Sequence, residues 1–157
     1  MAMQTDVKSQ HAATSGLMVP HTARLKGAVI FPFTGATGYL SFVDDVSVPG
    51  TYARSTTTAT ITSAAHGLST GNWVYLDWDL ADNPYQVTLT GADTFTVTVA
   101  NTGAASGSVT IWTKMLLQAD ASNATAFNML VPGEGILAKN GIRVFLAADI
   151  HATVFYG

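Results

Sequence analysis

The chain has 157 residues, 48% of them hydrophobic, only 11% charged, and no cysteine. Such a length holds one domain, or one carrying a smaller insertion, and can bury a core unaided. The net charge of −3 gives no electrostatic reason to bind nucleic acid or an anionic membrane, and the missing thiols exclude disulfides, cysteine catalysis and cysteine-held zinc.

No apolar leader is visible in residues 1–8, and no run approaches the roughly 18 apolar residues of a helical membrane span. Residues 1–22 are mostly small and polar, interrupted by Gly16, Pro20 and His21, and read as an extended N-terminal arm. Residues 24–31 (RLKGAVIF) form the first clear strand, ended by Pro32, which cannot donate to a ladder. TGATG at 34–38 is turn chemistry, YLSFV at 39–43 a second strand, and DDVSVPG at 44–50 a loop.

The texture then changes. Threonine alternates with small or apolar residues over 56–61, and HGLSTG at 66–71 is a glycine-bounded loop. NWVYLDWD at 72–79 places Trp73 and Tyr75 on one face and Val74, Leu76 and Trp78 on the other. In 85–90, 94–99 and 108–112, Val87 and Leu89, then Phe95, Val97 and Val99, then Val109 and Ile111 share a face, with threonines opposite. A period of two marks half-buried antiparallel strands, and threonine suits their polar side because its branched Cβ favours extended backbone.

After Trp112 come short apolar strands at 115–118, 127–131, 141–146 and 151–156. Asn140-Gly141 is a two-residue hairpin signal. The pattern predicts an all-β chain: an antiparallel sandwich or jelly-roll-like outer domain, discontinuous over 23–55 and 114–157, carrying a small antiparallel β domain at 56–113. Neither flank alone has enough chain for a sheet pair, so the two are expected to pair with each other.

Motifs for chemistry are sparse. His11, His21, His66 and His151 have no metal-binding spacing, and His66, before a glycine loop, is expected to bond the turn backbone. Asp77, Asp79 and Asp82 alternate as in calcium loops, but the glycine and terminal glutamate of such a loop are missing, so the segment reads as a strand end entering a polar turn. No nucleophile elbow, P-loop or dinucleotide pattern occurs. The chain is expected to be no enzyme, with no catalytic residues, metal or cofactor. Trp73, Tyr75, Trp78 and Trp112 could stack on sugars or meet a partner, but filling a small core is the stronger reading.

Residues 130–157 (LVPGEGILAKNGIRVFLAADIHATVFYG) carry a PGEGI-type turn, a G-I-x-V strand and a terminal TVFYG strand. The matching residues are Pro132 to Ile136, Gly141, Ile142, Val144 and Thr153 to Gly157. This resembles the C-terminal end of small virion-associated proteins of tailed phages, many of them marine. The opening, from Asp6-Val7-Lys8 to Arg24-Leu25-Lys26-Gly27, is similar to theirs. Residues 59–112, with HGL-x-TG, Y-x-V-T and ADTFTVT, are similar to a small β module recurrent in phage structural proteins. The resemblance implies a capsid decoration (cement) protein on the head surface, assembled in the host cytoplasm. It would be a homotrimer bound to the major capsid protein, its polar arm adding a strand and Arg24, Lys26 and Arg143 meeting an acidic shell. A tail, neck or fibre component with an adhesion domain, or a carbohydrate-binding module, are the alternatives.

Overall fold

The computed structural model describes residues 7–33, 35–80, 83–121 and 125–157. The described residues form sixteen strands and no helix, all paired strands running antiparallel, as the alternating sequence pattern predicts. The chain divides into two compact units, one of Met1–Asp45 and Leu116–Gly157, the other of Val46–Met115.

The outer unit is a sandwich. One sheet is built from β1 (Lys8–Ala12), β3 (Ala23–Pro32), β13 (Phe127–Leu130), β14 (Ile136–Ala138) and β16 (Ile150–Tyr156), in the order β1-β16-β3-β13 with β14 also on β3. The second holds β2 (Gly16–Val19), β4 (Gly38–Asp44), β12 (Met115–Ala121) and β15 (Ile142–Leu146), in the order β12-β4-β15-β2. Leu25, Ile30, Ile150 and Val154 of the first sheet and Val19, Leu40, Phe42 and Ile142 of the second meet in one buried core. β3 pairs with β16 and β4 with β15, the nested pairing by which a jelly roll is wound. At Gly27 the β3–β16 register shifts, and a Cβ there would lie 2.5 Å from the Met129 carbonyl oxygen, so only glycine lets β13 approach.

Three expectations are corrected. The described part of the N-terminal segment is no free arm: the polar β1 pairs with β16 at a sheet edge, where a polar strand is tolerated, and the apolar β2 pairs with β15 and buries Met18 and Val19. Residues 1–6 lie outside the described residues. The stretch around Pro49-Gly50 is not a loop of the outer unit. It is β5 (Ser47–Ser55), central in the middle unit between β11 and β6. β6 pairs with it only from Thr51 onward, so at Pro49 the strand faces β11 alone and the missing N–H is tolerated.

Finally, Asn140-Gly141 makes no hairpin. β14 belongs to one sheet and β15 to the other, so the turn crosses between them. The buried Asp44 carboxylate holds this crossing, accepting from the Asn140 N–H at 2.7 Å and the Lys139 N–H at 3.3 Å. Gly141 takes φ 113° and packs so tightly on the Val19 carbonyl that no Cβ fits.

The middle unit comprises β5, β6 (Thr58–Thr62), β7 (Trp73–Trp78), β8 (Asn83–Gln86), β9 (Thr88–Leu89), β10 (Thr94–Thr98) and β11 (Ser106–Trp112). Its sheet runs β8-β7-β11-β5-β6-β10-β9. β8 and β9 are consecutive in the chain, so the path returns on itself as a nearly closed barrel. Val87, between them, keeps the join: its N–H donates to the Asn72 carbonyl while its own carbonyl accepts from Gly71. The interior is filled by Ile61, Val74, Leu76, Trp78, Val87, Phe95, Val97, Val109 and Ile111, matching the alternation. Leu89 departs from it and is exposed, because the strand breaks at Val87.

Asp44→Ala removes the acceptor for two N–H groups at the sheet crossing. It is expected to lower the outer unit's unfolding free energy by about 1–3 kcal/mol, seen as a lower urea midpoint at unchanged slope. An unshifted midpoint would mean the crossing is held by Gly141 packing alone.

Candidate functional site

The residues proposed from sequence fall into separate places. Arg24 and Lys26, on β3, bend over the turn at 132–135. Lys26 Nζ donates to the Glu134 carbonyl at 2.9 Å, Arg24 Nη1 to the Gly135 carbonyl at 3.4 Å, and Arg24 Nη2 lies 3.8 Å from the Glu134 carboxylate. With Thr22, Leu137 and Gly157 they border a depression of about 440 Å³. Arg143 is elsewhere, on β15, its Nε donating to the half-buried Asp45 carboxylate at 2.5 Å. Its charge is neutralised within its own chain, so it is a poor contact for an acidic surface, contrary to expectation.

The aromatic set is also divided. Only Trp73 is exposed, at 43%. Trp78 points into the barrel, edge-on to Tyr52 at 5.0 Å and to Tyr85 at 5.4 Å. Tyr75 and Trp112 sit directly opposite each other on β7 and β11, edge-to-face at 6.3 Å and buried. Three of the four residues assigned to sugar or partner contact are thus buried, because pairing across strands gives each ring an aromatic neighbour of its own chain.

Asp77 and Asp79 border a shallow groove of about 370 Å³ with Pro49, Gly50, Ser108 and Thr110, while Asp82 lies outside the described residues. No three histidine or carboxylate side chains converge on a metal-sized site among the described residues. At this end of the barrel the ordering residue is Arg54, which no sequence motif marks. It donates to the Gly103, Ala104 and Thr56 carbonyls and, at 2.7 Å, to Asn101 Oδ1, fastening the loop before β11. Beside it Tyr52 is buried, and its hydroxyl has no hydrogen-bond partner among the described residues. Burial pushes the Tyr52 phenol above its usual range and the Asp79 carboxylate raises it further, against the opposing pull of Arg54.

His66 behaves as expected in kind, though it is buried rather than on the surface. Its Nδ1 accepts the Leu68 N–H at 3.0 Å, and its ring lies edge-on to Phe95 at 5.2 Å.

The feature that sequence did not disclose is the outward face of the five-stranded sheet. β16 presents His151, Thr153 and Phe155 on the side away from the core, opposite Phe31, Val29 and Gly27 of β3. β1 adds His11, and β13 adds Leu130 opposite Gly27. His151 is edge-on to Phe33 at 4.7 Å and to His11 at 5.5 Å, and His11 Nδ1 lies 3.3 Å from Thr153 Oγ1. Val7, Phe31, Phe33 and Leu130 are exposed at 42, 39, 54 and 79%. The signal was present in Phe31-Pro-Phe33 and in the alternation of β16, but the long-range pairing that joins them was not.

No family model, curated protein or solved structure matches the chain.

Two outcomes are expected at the barrel end. Tyr52→Phe removes a buried hydroxyl without a partner and should leave stability unchanged or raise it by up to about 1 kcal/mol. The folded state holds the Tyr52 proton more tightly than the unfolded chain, so this contribution is intact below pH 10 and lost as the pH rises above it. Denaturant midpoints measured across that range should fall less for Tyr52→Phe than for the parent, and equal falls would contradict the assignment. Arg54→Ala should cost about 1–3 kcal/mol and increase amide exchange at 101–105; exchange confined to its parent rate would show that the loop stands without it.

Proposed function

We propose that this chain is a structural protein of a phage particle, a decoration protein that binds the head shell as a homo-oligomer alongside the major capsid protein. The observation that carries the reading is the apolar outward face of the five-stranded sheet. Exposed apolar patches of this size, rimmed by polar residues, are commonly the places where a protein meets a partner. The composition supports the same reading: with 11% charged residues, the surface suits a protein covered by neighbours. So do the resemblances at 130–157 and 59–112, which consist of turns and strand faces and contain no active-site signature.

Arg24, Lys26 and Arg143 are each engaged within the chain, Arg143 most closely, so their contacts to the shell are secondary to the apolar face in this reading. Strand addition by the N-terminal segment is restricted to the free edge of β1, since its other edge is already paired to β16.

The test is the copy number of this chain in purified particles relative to the major capsid protein. A ratio near one, or a fixed fraction set by the shell lattice, is expected. A few copies per particle would move the protein to the tail or neck, and absence from particles would overturn the reading.

A further inference from the structure

We infer that the outward face of the β1-β16-β3-β13 sheet is the surface on which two copies of this chain stack, face to face and with their strands running in opposite senses. The inference rests on the self-association in the reading above, and not on the chain being part of a particle.

The face is apolar at its ends and neutral between them. Phe31 and Phe33 cover one end with the two histidine rings, Val29, Thr153 and Asn128 hold the middle, and Leu130, Phe155 and Val7, with Ser9 and Lys26 beside them, cover the other end around a cleft of about 560 Å³. Leu130 stands highest, 79% exposed. It is seated over Gly27, where a Cβ would meet its Cδ2 at 3.5 Å. Strands of five, seven, ten and four residues spaced about 4.8 Å apart give roughly 400 Å² of sheet. That is the centre of an interface whose ordinary size, with its rim, is about 800 Å² per partner.

The charges say which partner. The middle of the face carries no formal charge, so it encodes no strongly charged foreign surface, and a second copy is accommodated there without opposing charges to bury. The ends differ. Lys8, Arg24 and Lys26 outnumber the carboxylates of Glu134 and Gly157 at the Leu130 end and leave it net positive. The exposed Asp149, whose carbonyl accepts from the Phe33 N–H, lies at the Phe33 end. A two-fold axis crossing the strands at the middle of the face sets each positive end against the partner's Asp149. Stacking a patch on itself is isologous and yields a pair, where the resemblance implied a ring of three. Sheets packed this way lie about 10 Å apart, which brings Val29 and Thr153 close to their counterparts at the axis.

Sedimentation equilibrium of the full chain at about 100 μM should give twice the chain mass. Leu130→Lys, at a position exposed enough to leave the fold intact by circular dichroism, should weaken the pair by about 30-fold or more. Leu89→Lys, an exposed leucine of the middle unit, should not. The chain has no cysteine, so Val29→Cys and Thr153→Cys report directly: across sheets about 10 Å apart a disulfide is too short, but a short bis-maleimide should link at least one of them into a covalent dimer. A monomer at that concentration, an assembly of another size, a pair that survives Leu130→Lys, or a failure of both cysteines to cross-link would overturn the inference. None of these outcomes bears on the copy number in particles, so the two readings fail separately.

Discussion

The ladder between β3 and β16 is the constraint on which the outer unit rests. It joins residues 23–32 to residues 150–156, so most of the chain lies between its two strands. Closing so long a loop costs little more than closing one of half the length, because the entropy grows only with the logarithm of length. What it requires is that both strands be buried on one face, and Leu25, Ala28 and Ile30 meet Ile150, Ala152 and Val154 there. β13 and β14 then have a strand to join, β1 has an edge to extend, and β4 with β15 can close the second sheet below. The same ladder assembles the outward face, since no shorter-range pairing brings Phe31 against His151.

Given that ladder, a folded unit can be placed in a loop without disturbing it, provided its own ends meet. They do: Ser47 pairs with Trp112, so the middle unit starts and finishes on neighbouring strands. Closure of its sheet through β8 and β9 then removes long free edges, which would otherwise be a hazard in a chain this rich in threonine. The interior is small, and its aromatic residues are accordingly used for filling. Trp78 is held between Tyr52 and Tyr85, and His66 spends its Nδ1 on a turn amide while its ring packs on Phe95.

What could be read from the sequence was what depends on neighbours one or two residues away. The alternation in 73–78, 94–98 and 106–112 gave the correct inward faces, and the threonine texture gave a separate middle unit. What could not be read depends on which strand lies alongside. Pro49-Gly50 is punctuation in a linear reading, yet it is a strand here because only β11 flanks it at that point. Asn140-Gly141 has the chemistry of a hairpin, but Asp44, nearly a hundred residues away, accepts its amides and sends the chain to the other sheet. β1 carries no apolar period because it occupies an edge, and the apolar β2 is too short, at four residues, to show one. His11 and His151, without any spacing to connect them, become neighbours only through the β1–β16 register.

The scarcity of charge acquires a sharper meaning once the partners of each cation are known. Most of the seven basic residues are engaged within the chain, among them Arg24 and Lys26 with the 134–135 turn, Arg54 with the loop before β11, and Arg143 with Asp45. These side chains serve mainly to hold loops, and little free positive charge is left for a distant partner. Long-range attraction therefore has little to act with in the association proposed for this protein. Apolar burial can, since it needs no charge and is strengthened rather than screened by kosmotropic salts. In such an association the few charges at the rim choose an orientation among stackings that the apolar centre would accept equally. The placement of Arg24 and Lys26 at one end of the outward face and Asp149 at the other is enough to make that choice.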